Sequence, residues 1–147
     1  MRLVLSFDSD ELQKRSRRHS SLVFGIAWKH AGAYYPSQDW TDFGVVILGW
    51  WFSELIKMIR GAMESRFQFM DGPYSIDLIL DRERKNVELN PDGLDVKWHF
   101  PLADLADELI RAANEVQNQL VEMHISRDDQ RNLEENIRLL RASLADM

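Results

Sequence analysis

The sequence predicts an α+β protein, in which an antiparallel sheet of about six strands packs on one face against a central apolar helix and a C-terminal helical hairpin. Three observations carry this. Short stretches in the first hundred residues alternate apolar and polar side chains, as half-buried strands do. One apolar run from Phe43 to Arg60 repeats at helical spacing, and the last third keeps long amphipathic stripes. The later strands are joined by short turns, which demands antiparallel pairing. All 147 residues read as one domain, with strands and one helix over 1–100 and the hairpin over 101–147.

Leu3, Leu5 and Phe7 share one face of a first strand; Leu22, Phe24, Ile26 and Trp28 share one face of a second. The polar stretch Asp8 to Ser21 between them reads as a loop with room for a helical turn. Ala31 to Trp40 is an aromatic loop punctuated by Gly32 and Pro36. Thr41 or Asp42 then suits the N-cap of a helix over 43–60. Ile47, Leu48, Trp51, Leu55 and Ile59 form its stripe, and Trp50 and Phe52 widen that stripe until the first half has little polar face. Lys57, Arg60 and Gly61 end it. Strands follow at Phe67 and Phe69, at Tyr74 to Leu80, at Val87 and Leu89, and at Val96 to Phe100, with turns at Asp71-Gly72-Pro73 and Asn90-Pro91-Asp92-Gly93. Pro101 suits a first helical position. Leu102, Leu105, Leu109, Ala113, Val116, Leu120 and Val121 continue as one stripe. Ser126 to Asp129 has the spacing of a capping box, and Leu133, Ile137, Leu140, Leu144 and Met147 form a narrow second stripe.

Composition excludes several kinds of chemistry. There is no cysteine, hence no disulfide framework, thiol nucleophile or Cys-type zinc site. His19, His30, His99 and His124 are scattered without metal-ligand spacing, and no phosphate-binding or nucleophile-elbow motif occurs. No cofactor is called for. The formal charge of −6 is uneven: residues 1–30 carry +3, residues 31–110 carry −7 and residues 111–147 carry −2. An acidic middle disfavours nucleic acid and suits a basic protein partner. The run Phe43 to Phe52 is about half as long as a membrane span requires, and no secretory signal is read at the start. These features predict a soluble cytoplasmic protein with no membrane partner.

The aromatic loop is the candidate interaction surface, because Tyr and Trp dominate interface hot spots. Tyr34, Tyr35, Asp39 and Trp40, with Asp71 from the next turn, are the candidate partner-binding residues. The competing role is closure over the end of the core, favoured for Trp40; of the adjacent Tyr34 and Tyr35, one faces outward. Asp42 and Asp71 also suit a helix cap and a turn. Glu54 lies on the most apolar helix, where a carboxylate needs a partner, and Lys57 or Arg60 is in reach. Lys14 to His19 form a basic cluster read as a solvated loop or a partner-facing patch. Glu134 and Arg138, like Asp107 and Arg111, are spaced as four-apart surface pairs.

Two stretches, Trp40-Thr41-Asp42-Phe43 through Gly49-Trp50-Trp51 and Phe69-Met70-Asp71-Gly72-Pro73-Tyr74, resemble in their order small bacterial immunity-type proteins. Those proteins belong to polymorphic or contact-dependent toxin systems. The likeness spans residues 34–80 and rests on packing motifs. It implies a protein that binds and neutralises a cognate toxin, with no catalytic residue to carry over. The reading adopted is therefore a protein-binding domain, not an enzyme, whose partner is a basic toxin domain. Two alternatives remain open. One is a homodimer or larger homo-oligomer seamed by the Leu133 to Met147 stripe; the other is a small enzyme or ligand-binding domain built on Glu54, Asp71 or Asp42.

Overall fold

The computed structural model describes residues 1–147 and contains twelve elements. β1 (Arg2–Ser6), α1 (Ser9–Arg17), β2 (Phe24–His30), β3 (Ala33–Tyr35) and β4 (Thr41–Asp42) precede α2 (Gly44–Ile59). β5 (Glu64–Gln68), β6 (Ser75–Asp81), β7 (Asn86–Pro91) and β8 (Trp98–Pro101) follow, and α3 (Leu102–Met123) and α4 (Arg127–Ala145) close the chain. The α+β class holds, but the single six-stranded sheet does not. There are two antiparallel sheets of four strands each. In one, β2 pairs with β1 on one side and with both β3 and β4 on the other, residues 36–40 bulging between them. The other is the β5-β6-β7-β8 meander. Alternation reports which face of a strand is buried and is silent on its partner; α2 separates the two sets of strands in sequence and packs on β5.

The two sheets and α2 share one core. Trp28 of β2, Trp51 of α2 and Phe67 of β5 meet there, with centroids 5.4 Å apart for Trp51 and Phe67 and 5.8 Å for Trp28 and Trp51. Each is fully buried. One ring comes from each layer, so the cluster is continuous across the molecule. The Trp51 indole also donates to the Gln68 carbonyl at 2.8 Å, tying α2 to β5. Gly44, at the start of α2, lies against the Phe24 ring, and a Cβ there would fall 2.0 Å from it. No helix is long and apolar enough to cross a membrane.

Several local expectations change. Asp8 to Ser21 holds a two-turn helix, α1: Asp8 caps it by accepting from the N–H groups of Asp10 and Glu11, and Lys14, Arg15 and Arg17 occupy its last turn. The basic cluster is thus a helix C-terminus, where cations suit the dipole. Phe43, not Thr41 or Asp42, stands at the N-cap of α2, and Trp50 is 42% exposed on the outside of that helix. Pro101 precedes the first residue of α3 and also closes β8. Ser126 is left-handed and makes no capping bond, so the capping box is absent. Arg111 pairs with Glu108 and Glu115, not with Asp107, Arg138 pairs with Glu135, not with Glu134, and Val121 is exposed outside the α3 stripe. Glu108 accepts from the Leu3 N–H at 2.7 Å and Arg111 donates to the Leu3 carbonyl at 2.7 Å, so α3 covers the outer edge of β1.

Leu133, Ile137 and Leu140 are buried against α2 and α3. The stripe offered as a dimer seam is therefore largely internal core. Leu140→Asp places an unpaired carboxylate in that core and is expected to cost about 3–5 kcal/mol. Thermal melts should show loss of cooperative unfolding, where a dimer seam would leave a folded monomer. Ser143 gives the opposite expectation, because its hydroxyl is buried without a partner in the last turn of α4. Ser143→Ala removes that orphan and favours the helix, raising stability in urea titration by about 0.5–1 kcal/mol.

Candidate functional site

The loop of residues 36–40 and the turn of residues 69–74 come together at one end of the molecule. The reason is Asp42, the one buried charged side chain, which is 0% exposed. Its Oδ2 accepts from the Trp40 indole at 3.0 Å, and its Oδ1 accepts from the Phe43 N–H at 2.7 Å. The Asp71 N–H reaches both oxygens at 3.2 Å. A carboxylate removed from water needs such donors, and the N-terminus of α2 beside it adds a favourable dipole. Gly72, at φ +139°, lets the turn pass over the Trp40 ring: a Cβ there would lie 2.8 Å from the indole.

Tyr35 makes the second link. Its hydroxyl lies 3.0 Å from the Ser75 carbonyl and 2.9 Å from the Asp92 carbonyl, and it accepts from the Ser75 N–H at 3.2 Å. One phenol of the first sheet thus holds the ends of β6 and β7 in the second. Burial pushes the Tyr35 pKa above its ordinary value of 10.0; the Asp92 charge adds to this, and the bond from Ser75 N–H opposes it. Tyr74 packs edge-on against both Trp40 and Tyr35, at 5.1 and 5.9 Å between centroids.

Of the five candidate residues, four are thereby brought to one end: Tyr35, Asp39, Trp40 and Asp71. They divide by role. Tyr35 is buried, so its ring is core closure rather than interface. Trp40 is half-buried, its ring packed on Phe69 and Tyr74 and its N–H on Asp42. Asp39 and Asp71 are exposed and belong to no ion pair. Tyr34 points the other way, under the Lys29 ammonium at 5.3 Å from its ring centre, as adjacent residues of a strand must.

Sequence reasoning missed the rest of this end. Met70, Tyr74, Asp92 and Leu94 are exposed in the two turns joined there; Asp95 and the exposed Val96 follow in the same loop. The turn signal at Asn90 to Gly93 located the loop, but its neighbours depend on the bond from Tyr35 to Asp92, which spans fifty-seven residues in sequence. Glu54 lies elsewhere, on α2 beside β5, and meets Lys57 at 3.1 Å and the Ser65 hydroxyl at 2.6 Å. Burial raises its pKa, but these partners outweigh burial and hold it below the usual carboxylate range. Asp42 and Asp71 do approach each other, through the Asp71 backbone, with the Asp42 oxygens occupied by structural donors. No group of three or more His, Asp or Glu side chains is placed to hold a metal ion.

Comparison with family models, with curated proteins and with solved structures finds no match to this chain.

Tyr35→Phe is expected to cost about 1–3 kcal/mol, because the Asp92 carbonyl and the Ser75 N–H lose the phenol, while the Ser75 carbonyl keeps the Asp92 N–H. It also carries a pH signature. A phenol whose folded pKa is raised stabilises the fold fully below its ordinary value of 10.0 and loses that contribution as pH rises through the folded value. The difference between wild type and Tyr35→Phe in denaturant titrations should therefore be constant at neutral pH and shrink above pH 10.

Proposed function

We propose that this chain is a protein-binding module of the immunity type, which neutralises a basic toxin domain by covering it with the end built around Trp40 and Tyr74. The observation that carries this reading is the composition of that end. Met70, Tyr74 and Leu94 are exposed apolar side chains, and Asp39, Asp71 and Asp92 stand among them without ion partners. Apolar anchors with a polar rim are the anatomy of a binding surface, and a surplus of one charge selects a partner of the other and speeds its encounter. The backbone beneath is held by Asp42 and Tyr35, so the anchors are presented with little ordering still to occur on binding. The likeness of residues 34–80 to immunity-type proteins points the same way. On this reading Glu54 and Asp42 are structural carboxylates and the protein catalyses nothing.

The test is affinity capture of the tagged protein from its own cells at low and moderate salt, repeated with an Asp71→Asn/Asp92→Asn variant. One stoichiometric basic protein is expected, bound more weakly as salt rises and more weakly still by the variant. Expression of that protein alone should be toxic, and co-expression of this chain should relieve the toxicity. Recovery of nothing but the chain itself would overturn the reading.

A further inference from the structure

The hairpin from β6 to β7 turns at Arg82-Glu83-Arg84-Lys85, because Asp81 and Asn86 are the last pair in register. Arg82 and Lys85 therefore face each other across the turn. The third cation, Arg84, lies on the solvent side and pairs with Asp81. Arg82 and Lys85 come out on the side of Leu80: both line one pocket with it, and the Arg82 guanidinium donates to the Met58 carbonyl at 2.9 Å. That carbonyl belongs to the last turn of α2, so a bond to the helix fixes where Arg82 stands.

The pocket has a volume of about 220 Å³ and is lined otherwise by Ile59, Leu102 and Met147. Leu102 is held there by its own N–H, which donates to the Lys85 carbonyl at 2.9 Å. Ile59, Leu80 and Leu102 are buried and form an apolar floor, and the two cations are exposed at its mouth. No Asp or Glu lines the pocket, and neither cation belongs to an ion pair. Like charges set opposite each other in a hairpin repel. The fold leaves this repulsion without a carboxylate to offset it, in a chain whose formal charge is −6.

An apolar floor beneath two unneutralised cations selects an anion with an apolar body. The small volume excludes a lipid or a nucleotide. A carboxylate suits the place better than a phosphate, because a single charge costs less to take from water and the planar guanidinium fork matches its two oxygens. We propose that this pocket binds a small carboxylate, its alkyl or aryl body on Ile59, Leu80 and Leu102 and its charge on Arg82 and Lys85. One nitrogen of Arg82 is engaged with Met58, which leaves the other donors of the fork for the ligand. The pocket adjoins the end of α2 and the β6–β7 turn, whereas Trp40 and Asp71 adjoin the starts of α2 and β6. It is a second site, independent of the protein-binding reading, and both ends can be occupied together.

The test is titration of the isotope-labelled chain with hexanoate and with benzoate, each beside its uncharged amide, and with acetate. The backbone N–H resonances of Leu80, Lys85 and Leu102 are followed, with that of Asp71 as a distant control. One of the two larger carboxylates, or both, should shift the three saturably and leave Asp71 unmoved; which of them binds tells an alkyl from an aryl ligand. The matching amide, which lacks the charge, and acetate, which lacks the apolar body, should each bind at least about tenfold more weakly. Lys85→Gln, in an exposed turn, should weaken the carboxylate roughly fivefold. Arg82→Gln should weaken it further, and its thermal melt is recorded because the Met58 carbonyl loses a donor. No saturable shift from either carboxylate, equal binding of carboxylate and amide, shifts shared by Asp71, or unchanged binding in Lys85→Gln would overturn the proposal.

Discussion

The buried carboxylate of Asp42 is the constraint on which the arrangement of this fold turns. Taking a carboxylate out of water costs several kcal/mol even after relaxation. The cost is offset only if every donor is in place: the Trp40 indole, the Phe43 N–H and the Asp71 N–H. Those three belong to the bulge beside β2, the start of α2 and the turn before β6. One side chain thereby makes the packing of the two sheets and the entry into α2 a single condition, and a partial version of it would leave a charge stranded. Hydrophobic contact alone would allow the sheets to slide; this geometry does not.

The same logic closes the sheet edges. β1 would present unpaired backbone groups along its outer side, but at Leu3 the Glu108 carboxylate and Arg111 guanidinium of α3 act as acceptor and donor in place of a neighbouring strand. Arg111 holds Glu108 in turn, and its pKa is raised first by that hydrogen bond. On the other sheet, the Trp51 indole meets the Gln68 carbonyl at the outer edge of β5. β8 is four residues long and ends in Pro101, which has no N–H to offer. Two small sheets therefore coexist without joining each other or inviting a foreign strand.

How much of this was legible in the sequence follows from how local each signal is. α2, α3 and α4 announce themselves, because their stripes repeat over four or more turns. The β5 to β8 meander does too, because tight turns join alternating strands. α1 escaped because only Leu12 is buried along it, so it has no stripe; its real signals were Asp8 before an acidic first turn and a basic last turn. β3 and β4 escaped because they are three and two residues long and exist only through β2. At the site, Asp39, Trp40 and Asp71 were visible as turn and interface residue types. Tyr74 and Asp92 were not, since each joins the surface through Trp40 or Tyr35, distant in sequence.

The division of labour within residues 34–42 bears on how any binding data should be read. Tyr35 and Asp42 face inward and fix backbone; Asp39 faces outward and is free to meet a ligand; Trp40 does both. Loss of binding on changing Tyr35 or Asp42 would therefore report displacement of the 69–74 and 92–97 segments, because the Asp71 N–H and the Asp92 carbonyl are bonded to these very side chains. Such losses should come with lost stability. A change at Asp39, Asp71 or Asp92 alters charge while the bonds beneath persist, so its effect should fall on association and its salt dependence, with stability nearly unchanged. Interface and scaffold can thus be told apart by measuring stability and binding on the same variants, even though the two sets of residues alternate along one short stretch of chain.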